Sequence, residues 1–247
     1  MDNLKLTVAY DGTDYFGFQE QRGTDKPTIQ ETLEQVISQL AKEKIVVIGS
    51  GRTDSGVHAW GQVVNFRLER WPVPLEKTPI ALNALLPPDI VVREAQKMPE
   101  DFHARFSAHR KTYRYRIYNA RIPHPFWRRY SYFVPQKLVE QEMQKAADFL
   151  LGEHDFAAFR SVGTPVTSTV RRLDRLQVSR QDDLLDLEVC GNGFLYNMVR
   201  IIAGTLLNVG LGRLSAAALP EILNQKQRSL AGMTLPPQGL CLLSVEY

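Results

Sequence analysis

The stretch LKLTVAYD (4–11), followed by TIQETLEQVISQLAKEK (28–44), decides how this chain is to be read. The first alternates like a strand with one face buried. The second has apolar residues at helical spacing and opens with Thr28 and, three residues on, Glu31, the pair that closes a capping box. KIVVIGSG (44–51) and VHAWGQVVNFRLE (57–69) then read as two strands, PIALNALLP (79–87) as a short helix and DIVVREAQKM (89–98) as a further strand. The order β-α-β-β-α-β is that of a ferredoxin-like unit.

The second half repeats it. TYRYRIYN (112–119) alternates as a strand, and LVEQEMQKAADFLLG (138–152) predicts a helix ending at Gly152. The run 171–194 predicts a hairpin turning near Gln181–Asp183. Helices are predicted over 194–210 and 214–225, and GLCLLSVEY (239–247) closes as a strand. The expected fold is α+β: two ferredoxin-like halves, residues 1–104 and 105–247, forming a pseudo-symmetric mixed sheet with a central active-site cleft.

Composition narrows the function. The 44% hydrophobic and 23% charged residues are ordinary for a globular protein, and no apolar run reaches membrane-spanning length. MDNLKLTVAY lacks the basic and long apolar regions of a signal peptide, so a cytoplasmic protein with no membrane association is expected. Cys190 and Cys241 are too few for a disulfide framework or a Cys-based zinc site, and read as reduced thiols. The net charge is only +3, but Phe102 to Val139 contains no Asp or Glu and nine Lys or Arg. At the chain's average, roughly four acids would fall in that window, so it suggests a polyanion partner.

Within TYRYRIYN, alternation puts Tyr113, Tyr115 and Ile117 on one face and Arg114, Arg116 and Tyr118 on the other. Rings interleaved with cations suit RNA, stacking on bases while arginines neutralise phosphates; a core strand with wet arginines is the alternative.

GSGRTDSGVHA (49–59) is the candidate catalytic loop, on the connection between the second and third strands. Its glycines have the spacing of a phosphate cradle, but Gly56 is followed by Val57 and His58 rather than Lys and Ser or Thr, and Asp54 fails the dinucleotide pattern. Its Asp54 is either a turn former or a catalyst. His58 and the other histidines match no metal-ligand spacing, and the zinc deaminase signature is absent.

YDGTDYFGFQ (10–19), GRTDSGVHAWGQVVNF (51–66), FHARFSA (102–108), KTYRYRIYN (111–119), FLYNMVRIIAG (194–204) and GLCL (239–242) together resemble the tRNA pseudouridine synthase A family. GRTDxGVHA is a highly specific signature, and the matches run from the first strand to the last. Ser55, Phe18 and Cys241 stand where that family commonly has Ala, Trp and Tyr, and none of these removes an essential group.

The resemblance implies isomerisation of uridine to pseudouridine in the anticodon stem-loop of tRNA, around nucleotides 38–40, with no metal or cofactor, by a homodimer. Asp54 is then the carboxylate acting at the ribose, as nucleophile on C1′ or base at C2′. Arg200 is implied to pair with it, and Arg52 to contact RNA and help extrude the base. Tyr113 is implied to stack on the flipped base, and Leu240 to line the pocket. Arg105, Arg110, Lys111, Arg114 and Arg116 are candidate phosphate contacts. Flipping the uridine out of its stack costs a few kcal/mol. Three other readings stay open: a pseudouridine synthase with a different RNA target, a non-catalytic RNA-binding module, and an RNA glycosidase or nuclease. The last would need a second carboxylate, metal-binding acids or a histidine pair.

Overall fold

The computed structural model describes residues 1–21, 23, 25–161, 163 and 167–247. The chain packs as two compact units, residues 1–109 with 241–247, and residues 110–240.

In the first unit the elements run β1 (Asp2–Tyr10), α1 (Ile29–Ala41), β2 (Ile48–Gly49), β3 (His58–Leu68), α2 (Thr78–Asn83) and β4 (Ile90–Met98). β4 pairs with β1, β1 with β3 and β3 with β2, all antiparallel. That is the 4-1-3-2 order that two interleaved βαβ crossovers produce. α1 buries Ile29, Leu33 and Ile37 completely, roughly 1.5–3 kcal/mol for each side chain. Its N-terminus is held by the expected capping box: Glu31 N donates to Thr28 Oγ1 (3.2 Å), and Thr28 N donates to Glu31 Oε2 (2.9 Å). Thr28→Ala is expected to cost about 1 kcal/mol, seen as a melting temperature lower by roughly 2–4 °C.

The opposite face of this sheet is covered by FHARFSA. Buried Asn3 donates to Pro99 O and Phe102 O, both at 2.9 Å. Asn65 donates to Asn3 Oδ1 and accepts from Ala104 N. Phe102 and Ala104 pack on Val63. Gln62 to Phe66 is therefore buried on both faces, which explains why VVNF does not alternate.

KIVVIGSG is not the full strand its composition predicts; only Ile48 and Gly49 pair, opposite Asn65 and Val64. Helix α1 takes the preceding donors, Ile45 N bonding Ser38 Oγ and Val47 N bonding Glu34 Oε1, each at 2.9 Å. A backbone whose N–H groups are satisfied by side chains has less to gain from a ladder.

The second unit contains β5 (Arg110–Tyr118), β6 (Tyr132–Phe133), α3 (Glu140–Asp148), β7 (Gly152–Asp155), β8 (Val170–Gln181), β9 (Leu184–Gly191), α4 (Met198–Gly210) and α5 (Leu219–Gln225). β5 pairs with β9, β9 with β8 and β8 with β7, all antiparallel, while β6 lies parallel to β5. The strands β5, β9 and β8 repeat the 1-3-2 order of the first unit. The hairpin turns at Asp182–Asp183, with Asp182 at φ +53°, a conformation Asp tolerates in tight hairpins.

Every helix of the second unit, and α2 of the first, is shorter than expected: α2 stops at Asn83 rather than Pro87, and α5 begins at Leu219 rather than Leu214, after a separate short turn over Ala216–Ala218. α3 stops at Asp148 rather than Gly152, because Leu150 turns into the core and Gly152 begins β7. α4 begins at Met198 rather than Phe194, because Asn197 sits at φ +61° and breaks the helical path. The chain ends in β10 (Leu240–Glu246), parallel to β3 at Cys241–His58 and Leu242–Ala59. β2 and β10 thus share one edge of β3, which also limits β2. Among the described residues no helix is long and apolar enough to cross a membrane.

Candidate active site

The loop from Ser50 to Val57 connects β2 to β3 and is braced from below by buried polar side chains. Ser50 N donates to Val63 O (2.8 Å), and Ser50 Oγ donates to Gln62 Oε1 (2.6 Å). Gln62 Nε2 donates in turn to Gly51 O (3.0 Å). The hydroxyls of Tyr10 and Thr53 share a 2.8 Å hydrogen bond. Burial pushes the Tyr10 phenol above its ordinary range, against the hydrogen bonds from Thr53 and Gln62, so it stays neutral. Beyond Thr53 the chain makes a turn closed by Val57 N donating to Asp54 O (3.1 Å). Asp54 heads that turn half-buried, with Arg52 exposed two residues before it.

From above, the loop is clasped by Asp11–Phe18. Phe18 N donates to Thr53 O (3.0 Å), and Ser55 Oγ donates to Tyr15 O (3.1 Å). Gly12 N donates to His58 Nδ1 (3.1 Å), and Asp11 Oδ1 lies 3.1 Å from the same nitrogen. Two glycines permit this approach. A Cβ on Gly12 would lie 2.0 Å from Val57 O, and one on Gly17, at φ +83°, would lie 2.7 Å from Thr53 O. The clasp is continuous with α1, since Ile29 N and Gln30 N donate to Gly17 O and Phe18 O.

Tyr10, Asp11, Gly12, Gly17, Ser50, His58 and Gln62 therefore position the loop; of these the residue-level reading of the sequence singles out only His58, as a structural or RNA-contacting residue. The available signal was YDGTDYFGF itself: two glycines among hydrogen-bonding residues where no regular element is expected.

Arg105 is also in the first unit, on the exposed turn of FHARFSA. The second unit carries the other sequence-predicted residues. Tyr113 on β5 is buried, with Phe194 edge-on at 5.1 Å. Tyr115 and Ile117 are fully buried, and the Tyr115 hydroxyl donates to Pro236 O (2.8 Å), so those two are core rather than stacking surface. Arg116 grips Asp186 with two 2.7 Å hydrogen bonds, and Arg114 Nε lies 4.0 Å from the same carboxylate. Arg110 Nε bonds Asp174 at 3.0 Å; Arg110 and Arg172 together hold that carboxyl below its usual range. Lys111 is half-buried. Arg200, in the first turn of α4, donates to Leu235 O (2.7 Å) and to Asn197 Oδ1 (2.8 Å). Leu240 is buried.

What the first unit offers chemically is one carboxylate on a turn whose neighbours cannot move independently. Such preorganisation suits a group that must meet one atom of a bound substrate.

The tRNA pseudouridine synthase family profile matches residues 6–107 and 146–247. Curated relatives named tRNA pseudouridine synthase A align along the full length of both chains at 46% identity in Acetivibrio thermocellus and 45% in Thermoanaerobacter pseudethanolicus. The relative of that name in Bacillus licheniformis is 48% identical over 99% of this chain and 98% of its own. Among solved structures, a Cbf5–Nop10–Gar1 complex aligns over 82% of this chain and 54% of that chain, at 15% identity and a TM-score of 0.33, too distant a likeness to bear on function. The chain belongs to the tRNA pseudouridine synthase family.

Proposed function

We propose that this protein isomerises uridine to pseudouridine in the anticodon stem-loop of tRNA, around nucleotides 38–40, using the carboxylate of Asp54. The observation that carries the reading is a single Asp held on a doubly braced turn in a member of this family. The reaction breaks the bond from N1 of uracil to C1′, turns the base and rejoins it through C5; C5 then loses its proton and N1 gains one, so the atom count is unchanged. It needs one ionised carboxylate near the sugar, as nucleophile on C1′ or base at C2′. In the proposed site Arg52 helps hold the nucleotide out of the stack, Tyr113 lies against the flipped base and Leu240 lines its pocket. Arg200 serves as the cation for the carboxylate, and Arg105, Arg110, Lys111 and Arg114 as phosphate contacts, while Arg116, expected in that set from the sequence, is left out of it because both oxygens of Asp186 already hold its guanidinium. The proposed enzyme acts as a cytoplasmic homodimer without a cofactor.

The test is incubation of purified protein with unmodified tRNA transcript, with no metal or cofactor added, followed by mapping of pseudouridine. Pseudouridine confined to positions 38–40 is the expected result. Pseudouridine elsewhere would replace the target but keep the chemistry. Free uracil would identify a glycosidase, and tight binding without any product would leave a binding module.

A further inference from the structure

The acid-free window is not used up by the strand β5. Between Arg121 and Tyr130 the second unit presents a loop, RIPHPFWRRY, that none of the proposed roles employs. Its large apolar side chains face water: Phe126 is 79% exposed, Ile122 73% and Tyr130 44%. Arg121, Arg128 and Arg129 are exposed among them. A contiguous exposed patch of this kind marks an interaction surface rather than scattered surface residues.

The patch is built, not loose. Trp127 N donates to His124 O (3.2 Å), Tyr130 N to Trp127 O (3.0 Å) and Ser131 Oγ to Trp127 O (2.8 Å). The Trp127 ring lies under the Arg116 guanidinium at 5.5 Å, and Arg116 is itself locked to Asp186. A row of rings runs outward from buried Tyr118 through His124 (6.2 Å) to Phe126 (5.5 Å). Phe126 N also donates to His124 Nδ1 (3.3 Å). The outermost ring is thus held exposed by its anchors.

Charge selects the occupant. A second copy docking here would have to bring acids from elsewhere on its surface to Arg121 and Arg128, since the loop contains none. A nucleic acid meets both features, since every base has a face to stack and every phosphate a charge to neutralise. We propose that the 121–130 loop is a second RNA-contact surface, in which Phe126 stacks on an unpaired nucleotide of the tRNA and Arg121 and Arg128 engage the flanking phosphates. This rests on the tRNA reading above and extends its contacts beyond the catalytic residues.

The test is equilibrium binding of unmodified tRNA transcript over a salt series, with pseudouridine formation and sedimentation measured in parallel. Phe126→Ala and Phe126→Leu are expected to bind about tenfold more weakly, with KM rising in step, while Phe126→Trp binds within about twofold of wild type. Arg121→Gln combined with Arg128→Gln should lessen the slope of log affinity against log salt by about 1.4. Phe126→Leu binding as tightly as wild type would overturn the proposal, because Leu keeps the apolar area and loses only the π-face. So would Phe126→Ala sedimenting as a smaller assembly with its tRNA affinity unchanged, which would assign the surface to a second copy. No pseudouridine from the wild-type protein, with the variants still showing these binding losses, would defeat the functional reading and leave this surface standing.

Discussion

Asp54→Asn should lower the rate of pseudouridine formation about 10⁴-fold or more, with tRNA affinity within about threefold of wild type. Asn keeps the shape and hydrogen-bonding reach of Asp and removes only the charge that attacks C1′ or abstracts a proton at C2′. The loss corresponds to about 5.4 kcal/mol of transition-state stabilisation. The bracing explains why the change should be confined to chemistry. The turn is closed by the Asp54 carbonyl, and its supports are Tyr10, Gln62 and Ser50 below with Phe18 and His58 above. Those bonds run through the Asp54 carbonyl and through neighbouring residues, all of which the Asn variant retains. The checking measurement is single-turnover pseudouridine formation beside filter binding. More than about a tenth of wild-type turnover in the Asn variant would remove Asp54 from the mechanism.

The second large effect is expected at Gly12. Its α-carbon lies so close to Val57 that an added methyl would sit 2.0 Å from the Val57 carbonyl oxygen, backbone against backbone, with no side chain to swing aside. Relief requires the clasp to lift, which also strains the bond from Gly12 N to His58 Nδ1. Gly12→Ala should therefore destabilise by about 3 kcal/mol and lower the melting temperature by roughly 6–12 °C. Because the clasp sets the position of the Asp54 turn, turnover measured well below the melting temperature should fall about 10²-fold. Gly212→Ala is the control. That glycine has φ +70° but open space around it, so the change costs roughly 1–2 kcal/mol of backbone strain and leaves turnover at the wild-type level. Gly12→Ala with wild-type stability and turnover would show that the clasp does not hold the loop.

Much of the fold was legible because its signals are local. Thr28 and Glu31 announce α1 through a capping box that needs only four consecutive residues. The alternation of LKLTVAYD and the Asp182–Asp183 turn are likewise readable at short range. KIVVIGSG has the composition of a full strand but pairs only at Ile48 and Gly49, because backbone donors before them are taken by Ser38 and Glu34, a contact between elements that periodicity does not encode. The rings of TYRYRIYN divided by depth rather than by type: Tyr115 went into the core with its hydroxyl on Pro236 O, although its sequence spacing is the same as that of Tyr113.

For the candidate site, the sequence by itself put a carboxylate in a glycine-bracketed turn, and the family resemblance carried by GRTDSGVHA, rather than the residue types alone, singled out Asp54. The sequence also determined the concentration of positive charge between Phe102 and Val139, which is a matter of composition. Only the tertiary structure decided what holds that turn in place. Tyr10, Gly12 and Gly17 are some forty residues from the loop they support, and a hydrogen bond or a close backbone approach over that separation exists only once β1 and β3 have paired. It also decided which cations are committed within the protein, because Arg116 meets Asp186 through strand register and not through sequence spacing.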